Sequence, residues 1–323
     1  MRTSIGLLLC VFSPAVLFGG AALSAEPAES IEPRAWLMDM SEAFNQQSYD
    51  GVFGYFSGSQ YTTMRIVHMV IDGKQRERLI HLDGAPREIV RSGEEVVCIL
   101  LPVDELLELD MPAGPFARAF VRRYDNISEY YSLTFYGEGR VADRSTVRLA
   151  VTPLDEDRYG YRLWLDKATR LLLKSELIDS DGLPLEVFQF STIVIGDAVK
   201  VSSLEPTNSH AAQILYPLSL DTEPSIPAYG PSRWSAQWLP VGYTMAGSTV
   251  RTTVSMRKSI DTMMYSDGLA AFSVFIEDMP PAGAASMVSR NGATVAVTHL
   301  TRGPEDGPHL VTLVGELPTS TAQ

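Results

Sequence analysis

The residues of this chain that could carry out chemistry do not stand at the spacings that catalysis requires. The five histidines are scattered, and no pair has the helical spacing of metal ligands beside a carboxylate. Residues 255–258 match the Ser-x-x-Lys spacing of some acyl-transfer enzymes, but the companion Ser-Asp-Asn and Lys-Thr-Gly motifs are absent. Residues 137–142 match a dinucleotide fingerprint formally, yet they lie within a predicted hairpin with no following helix. We therefore predict that the protein is not an enzyme and has no cofactor or metal.

Arginine and apolar side chains in the first third of the chain point to ligand binding instead. Methionine and aromatic side chains suit a deformable apolar pocket, and guanidinium groups can meet an anionic headgroup. The predicted pocket residues are Met38, Met40, Phe53, Tyr55, Met64 and Met69, and the predicted headgroup residues are Arg65, Arg76, Arg78 and Arg87. The competing interpretation is that these methionines are ordinary core and these arginines ordinary surface.

Residues 51–101 are predicted to hold these side chains on an antiparallel meander of long strands. Asp72-Gly73 is a strong hairpin signal because both residues accept positive φ. In residues 61–71, Met64 and Ile66 fall on one face with His68, and Val67 and Met69 fall on the other with Arg65. Since neither face is purely polar, both should be covered or should line a binding site. His68 and His81 lie on neighbouring strands, either as satisfied or exposed cross-strand histidines or as a pH switch.

The remaining patterns predict an α+β protein of two domains. Residues 33–47 read as an amphipathic helix with an apolar stripe, and residues 116–123 as a short helix. Several alternating segments between residues 133 and 195 read as further strands, with no strand–helix alternation that would indicate a parallel sheet. We place a large domain at 26–201, a linker rich in Pro, Ser and Thr at 202–231, and a small α+β domain at 232–323 with a short helix in 279–290.

The N-terminus and the composition indicate an exported protein. Residues 1–25 have a basic start, an apolar run and small residues before a cleavage site, as in a secretory signal peptide. Cys10 leaves with that leader, so Cys98 stands alone and no intramolecular disulfide is possible. The formal net charge of −13 disfavours nucleic acid and anionic membrane surfaces.

Four blocks, in order along the chain, resemble the RseB/MucB family of periplasmic regulators. They are residues 76–90 (RERLIHLDGAPREIV), 238–243 (WLPVGY), 265–277 (YSDGLAAFSVFIE) and 311–318 (VTLVGELP). The resemblance implies a first domain similar to the lipoprotein carriers LolA and LolB, an open half-barrel sheet with helices on its concave side, followed by a smaller domain.

The resemblance also implies a function in the periplasm. Family members bind the periplasmic region of a membrane-spanning anti-sigma factor, shield it from the site-1 protease and are released by lipid or lipopolysaccharide-like signals. We expect the same here, with a homo-oligomer possible. Candidate anchors for the partner are aromatic, because aromatic side chains dominate interface energetics: Trp234, Trp238, Tyr265, Phe272 and Phe275. The alternative is a periplasmic lipid or lipoprotein carrier of the LolA type.

Overall fold

The computed structural model describes residues 32–92, 95–100, 127–207, 212–217, 234–253, 258–278, 283–302 and 307–323. The predicted signal peptide and the predicted helix at 116–123 lie outside these residues. One helix, α1 (Pro33–Gln46), precedes the first sheet. The strands of that sheet are β1 (Tyr49–Ser57), β2 (Gln60–Ile71), β3 (Lys74–His81), β4 (Arg87–Ser92), β5 (Glu95–Leu100), β6 (Tyr131–Val141), β7 (Arg144–Pro153), β8 (Gly160–Asp166), β9 (Leu172–Ile178), β10 (Pro184–Ile195) and β11 (Ala212–Pro217). Short 3-10 turns lie at Ile127–Glu129 and Val201–Leu204.

The first domain is one antiparallel sheet of 11 strands in the order β11-β5-β4-β3-β2-β1-β10-β9-β8-β7-β6. It consists of two meanders, β5 to β1 and β10 to β6, which join where β1 pairs with β10. The predicted turn at Asp72-Gly73 is confirmed, with φ of 53° and 73°. Residues 212–217, which the sequence placed in a linker, pair with β5 and cover that edge of the sheet.

Helix α1 packs on one face of this sheet, which we call the helix face. The predicted apolar stripe is confirmed, because Trp36, Leu37, Met40, Ala43 and Phe44 are its buried residues. Ala43 and Phe44 join Tyr49, Phe53, Phe188 and Phe190 in one core cluster. Full burial of such a side chain stabilises the fold by about 1.5–3 kcal/mol, so packing rather than helix propensity holds α1 in place.

The opposite face of the sheet, which we call the outer face, is also covered. Val67 and Met69 pack there with Val199, and Leu204 of the second 3-10 turn lies against them. Alternation along β2 therefore separates the two apolar sets as predicted, with Met64 and Ile66 on the helix face.

The second domain is a separate antiparallel sheet of six strands. They are β12 (Thr244–Thr253), β13 (Lys258–Ser266), β14 (Ala271–Asp278), β15 (Met287–Asn291), β16 (Thr294–Arg302) and β17 (Pro308–Glu316), with a terminal helix α2 (Thr319–Ala322). Their order is β12-β13-β14-β17-β16-β15. Tyr243, Met263, Tyr265, Phe272 and Ile276 belong to the core of this sheet.

The described part of the chain is largely β, so the predicted α+β class is wrong in its balance. The helix predicted in residues 279–290 is also wrong where the structure describes it, because Met287–Asn291 is a strand paired with β16. The physical reason is the Asn291-Gly292 turn, which sets Val288 opposite Val297 and provides the backbone partners that make the segment extended.

Candidate functional site

The predicted pocket residues divide among four places. Phe53 is buried on the helix face, and its register partner on β2 is Met64. Half-buried apolar side chains continue this surface, and we name the set the helix-face strip: Phe53, Tyr55, Met64, Ile66 and Leu79. Met40 is fully buried in the neighbouring cluster under α1. Met38 is 53% exposed on α1, and Met69 lies on the outer face. The structure thus brings Phe53, Tyr55 and Met64 together and separates Met38 and Met69 from them.

The four predicted headgroup arginines do not converge. Arg65 and Arg78 share the outer face, as does exposed Arg76, whose register partner is Met69. Arg87 alternates with Ile89, whose partner Leu79 belongs to the helix-face strip, so Arg87 lies on the helix face. Three of the four guanidinium groups therefore lie on the opposite side of the sheet from the strip.

Two of the outer-face arginines already have protein partners. Arg65 donates to both carboxylate oxygens of Asp50 at 2.8 and 2.7 Å. These hydrogen bonds are the main cause that raises the pKa of Arg65. Arg78 donates to Glu88 at 3.0 Å, to the Ser203 carbonyl at 3.0 Å and to Thr207 at 2.6 Å. Arg78 thus fastens the segment after residue 200 to the sheet, and Arg65 adds a longer contact to the Ser203 hydroxyl at 3.5 Å.

The predicted partner anchors are partly core and partly surface. Tyr265 and Phe272 are buried and stack with ring centroids 5.2 Å apart. Trp234 packs against the same core and meets His309 edge to face. Phe275 alternates with Phe272 and lies half-buried on the other face of the sheet. Trp238 is 63% exposed, and Val241 beside it is 73% exposed.

Of the two histidines that the sequence drew attention to, His68 is the buried one. Its Nδ1 lies 2.8 Å from the Gln47 carbonyl, and its ring stacks on Tyr49 at 4.9 Å. Its Nε2 lies 3.8 Å from a Glu77 carboxylate oxygen. Burial lowers the pKa of His68 despite that carboxylate. His68 is therefore a neutral core histidine whose Nδ1 has a hydrogen-bond partner and whose buried Nε2 has none among the described residues.

An ion pair that sequence reasoning missed joins the two domains. Arg158 Nη1 lies 2.7 Å from Asp267 Oδ2, and both side chains are fully buried. The Tyr131 hydroxyl donates to the same carboxylate oxygen at 2.9 Å. The Arg158 guanidinium lies over three rings, with its Cζ 5.2–5.5 Å from the centroids of Tyr130, Tyr131 and Tyr243. Burial alone would lower the pKa of Arg158, but the carboxylates of Asp155 and Asp267 raise it, so the guanidinium stays charged.

Local sequence places Asp267 for this contact. It lies in the Ser266-Asp267-Gly268 turn, where its Oδ1 accepts from the backbone N–H groups of Leu269 and Ala270 at 2.9 and 2.8 Å. That turn leaves Oδ2 for Arg158. Leu269 itself belongs to the core cluster of the first domain. The turn therefore carries both a charge and an apolar side chain into the neighbouring domain.

The turn between β15 and β16 makes a second contact with the first domain. The Ala293 N–H donates to Glu186 Oε1 at 3.2 Å, and Ala293 is fully buried in the core cluster of the first domain. The Ser57 hydroxyl donates to the same oxygen at 3.1 Å. A Cβ on Gly292 would lie 2.3 Å from Ser57 Oγ, so only glycine permits this approach. Together with the Arg158–Asp267 pair, these contacts form what we call the domain junction.

Within the described ranges, no helix reaches the length and apolarity of a membrane span, and no group of His, Cys, Asp and Glu side chains could hold a metal ion. The candidate site consists of the helix-face strip, the domain junction and the exposed apolar side chains of the second domain. Such an arrangement can bind an apolar ligand and a protein partner.

Comparisons with known proteins match both domains to one family. The model for the MucB/RseB N-terminal domain matches residues 32–208, and the model for the MucB/RseB C-terminal domain matches residues 229–323. The sigma factor AlgU regulatory protein MucB of Pseudomonas aeruginosa is 36% identical over 100% of this chain and 96% of its own length. The sigma-E factor regulatory protein RseB of Escherichia coli K12 is 27% identical over 97% of this chain and 95% of its own length.

Solved structures agree with the sequence matches. The complex of Pseudomonas aeruginosa MucA and MucB has a chain 34% identical to this one, with a TM-score of 0.73 over 90% of this chain and 95% of that chain. A crystal structure of MucB has a TM-score of 0.64 at 32% identity, over 91% of this chain and 96% of that chain. The resemblance seen in the sequence is confirmed, and the chain belongs to the MucB/RseB family of sigma factor regulatory proteins rather than to a family of enzymes.

Proposed function

We propose that this protein is a periplasmic negative regulator of an envelope stress response. It binds the periplasmic region of a MucA-like anti-sigma factor, shields that region from site-1 proteolysis and is released by a lipid or lipopolysaccharide-like signal. The observation that carries the proposal is the likeness, across both domains, to the MucB chain of the MucA/MucB complex, at 34% identity and a TM-score of 0.73. The predicted signal peptide supports a periplasmic location.

Exposed apolar side chains of the second domain supply a surface for the partner. Trp238 and Val241 are 63% and 73% exposed and lie within three residues of each other. The Val241 carbonyl accepts a hydrogen bond from Arg158, which ties this surface to the domain junction. Removing so much apolar area from water favours association, and tryptophan is the residue type most enriched among energetic hot spots. The affinity of this surface for a partner therefore depends on how the two domains are docked.

The helix-face strip supplies a surface for acyl chains. Apart from the buried Phe53, its side chains are only partly buried, so an acyl chain that covers them gains hydrophobic free energy. A lipid releases the partner only if it binds more tightly to the partner-free state. A simple carrier of the LolA type would use the same strip without a protein client, and a second domain docked through a buried ion pair favours the regulator.

A protection assay tests the proposal. The periplasmic segment of MucA is incubated with site-1 protease, with and without the purified mature protein, and cleavage is followed over time. We expect the protein to slow cleavage and lipopolysaccharide fragments to restore it. Unchanged cleavage at saturating protein would reject the regulator, and transfer of a lipoprotein between membranes without protection would establish the carrier instead.

A pair of variants then tests the partner surface. Trp238→Ala is expected to weaken binding of the MucA segment by about 30-fold, the effect of a typical hot spot. Leu183→Ala is the matched control, since Leu183 is 61% exposed on the first domain. Equal affinities of the two variants, measured by isothermal titration calorimetry, would exclude Trp238 as an anchor.

A further inference from the structure

One buried carboxylate accepts hydrogen bonds from both domains. The Tyr55 hydroxyl donates to Glu186 Oε2 at 2.6 Å, and the Ala293 N–H of the second domain donates to Glu186 Oε1 at 3.2 Å. Glu186 is only 8% exposed. A carboxylate at such a position is stable only when its oxygens accept hydrogen bonds, so the orientation of this group depends on its donors.

Tyr55 connects this carboxylate to the helix-face strip. Its ring follows Phe53 on the same face of β1 and is half-buried with Met64 and Leu79 in one cluster. Its hydroxyl, in contrast, lies against Glu186. Burial and the neighbouring carboxylate raise the pKa of Tyr55, so the hydroxyl keeps its proton and acts as a donor. One side chain thus contacts both the apolar strip and the acceptor of the second domain.

The backbone around these groups has no spare room. A Cβ on Gly58 would lie 2.4 Å from Asn291 Oδ1, and a Cβ on Gly292 would lie 3.0 Å from the Gly58 nitrogen. The end of β1 and the turn between β15 and β16 are therefore in direct contact. A displacement of residues 55–58 reaches the second domain through steric contact as well as through Glu186.

We propose that Tyr55 and Glu186 couple occupancy of the helix-face strip to docking of the second domain. An alkyl chain in the strip displaces the Tyr55 ring, the Glu186 carboxylate loses a donor and turns, and the Ala293 N–H loses its acceptor. The turn between β15 and β16 then loosens from the first domain. The ligand is an amphiphile with one or more alkyl chains. That this coupling regulates release of a protein partner rests on the proposed function.

The first experiment needs no ligand. Hydrogen exchange of the turn between β15 and β16 is measured by mass spectrometry in the mature wild-type protein and in Tyr55→Phe, which keeps the ring and removes only the hydroxyl. We expect exchange at this turn to be about tenfold faster in the variant, the effect of losing one hydrogen bond to a charged group. Tyr61→Phe is the control, because Tyr61 is 67% exposed on β2. Equal exchange in Tyr55→Phe and wild type would overturn the coupling.

The second experiment uses lauric acid as the probe, with binding measured by isothermal titration calorimetry. In the wild type, lauric acid should accelerate exchange at the turn, whereas in Tyr55→Phe it should bind and leave exchange unchanged. Ser57→Ala, which removes the other side-chain donor to Glu186, should retain the response because Tyr55 is intact. A full response in Tyr55→Phe would refute the relay.

The two experiments separate the coupling from the proposed function. If lauric acid binds the wild type without altering exchange at the turn, the coupling is refuted while the lipid site stands. If lauric acid does not bind, the ligand half of the coupling and the lipid part of the proposed function both fail, whereas protection of the MucA segment is decided by its own assay.

Discussion

Replacing Asp267 with asparagine tests whether the buried ion pair holds the two domains together. The substitution keeps the shape of the side chain and leaves Oδ1 to accept from the N–H groups of Leu269 and Ala270. In place of Oδ2, the substitution puts an amide N–H donor against the Arg158 guanidinium, which is itself a donor. The variant therefore removes the interdomain charge and spares the turn.

The magnitude follows from the burial of the pair. Removing one partner of a buried ion pair costs about 3–5 kcal/mol, because the other charge stays buried without compensation. Arg158 keeps Asp155 at 2.9 Å, and that side chain is 31% exposed, so we expect the lower end of this range. With a urea dependence of about 3 kcal/mol per molar, the unfolding midpoint should fall by roughly 1 M.

The assay is urea unfolding followed by circular dichroism, with a matched control. Asp179→Asn alters another aspartate whose Oδ1 accepts from two backbone N–H groups, those of Asp181 and Leu183, in an exposed turn of the first domain. The control should shift the midpoint by less than about 0.3 M, since surface substitutions change stability by about 0.5 kcal/mol or less. If Asp267→Asn and Asp179→Asn unfold at the same midpoint, the pair does not stabilise the junction.

Three further perturbations have defined outcomes. Gly242→Ala should destabilise the junction, because residue 242 has φ of 89° and its Cβ would lie 2.5 Å from the Tyr130 ring. Gly73→Ala is the control for backbone strain alone, because residue 73 has φ of 73° and its Cβ would meet no atom within 4 Å. Equal thermal midpoints of the two variants would contradict the clash with Tyr130. Leu165→Ala should lower the unfolding free energy by about 2–5 kcal/mol in urea, since Leu165 is fully buried, and a loss below about 1 kcal/mol would contradict tight packing there. Burial lowers the pKa of His68, so the imidazole is protonated at a higher pH in the unfolded chain, and stability falls as pH drops below about 6.5. Between pH 7 and 5.5, the urea midpoint should therefore depend less on pH in His68→Gln than in the wild type. The same pH dependence in both proteins would refute a contribution from His68.

Short-range signals account for what could be predicted from the sequence. The apolar stripe of residues 33–47 and the alternation along residues 61–71 each depend on neighbours within one element, and turns such as Asp72-Gly73 depend on two residues. The same alternation, applied to the arginines, separates Arg65 from Met64 on opposite faces of β2. The sequence could therefore have shown that the four headgroup arginines do not share one face. It could not have shown their partners in the segment after residue 200.

The domain junction lies beyond such signals. Arg158 and Asp267 are 109 residues apart, and each occupies a turn that looks like ordinary solvated sequence. The acidic run 154–157 has the composition of a solvated turn, yet Asp155 pairs with Arg158 and Asp157 accepts from Thr321 of the second domain. Glu186 resembles any polar residue near the start of a strand. Only the docking of the two domains gives these side chains partners and burial.

The seam between β1 and β10 has a consequence for how this chain reaches its native state. Tyr49 pairs with Ile195, about 150 residues later, whereas the other strands of each meander pair with neighbours in sequence. Each meander can form from local hairpins, but β1 can pair with β10 only after β10 has been synthesised. Until then β1, which is rich in aromatic side chains, presents an open edge, the feature that makes sheet proteins associate wrongly. Pairing of β10 with β1 is therefore the folding step before which the chain is most prone to associate with other copies of itself.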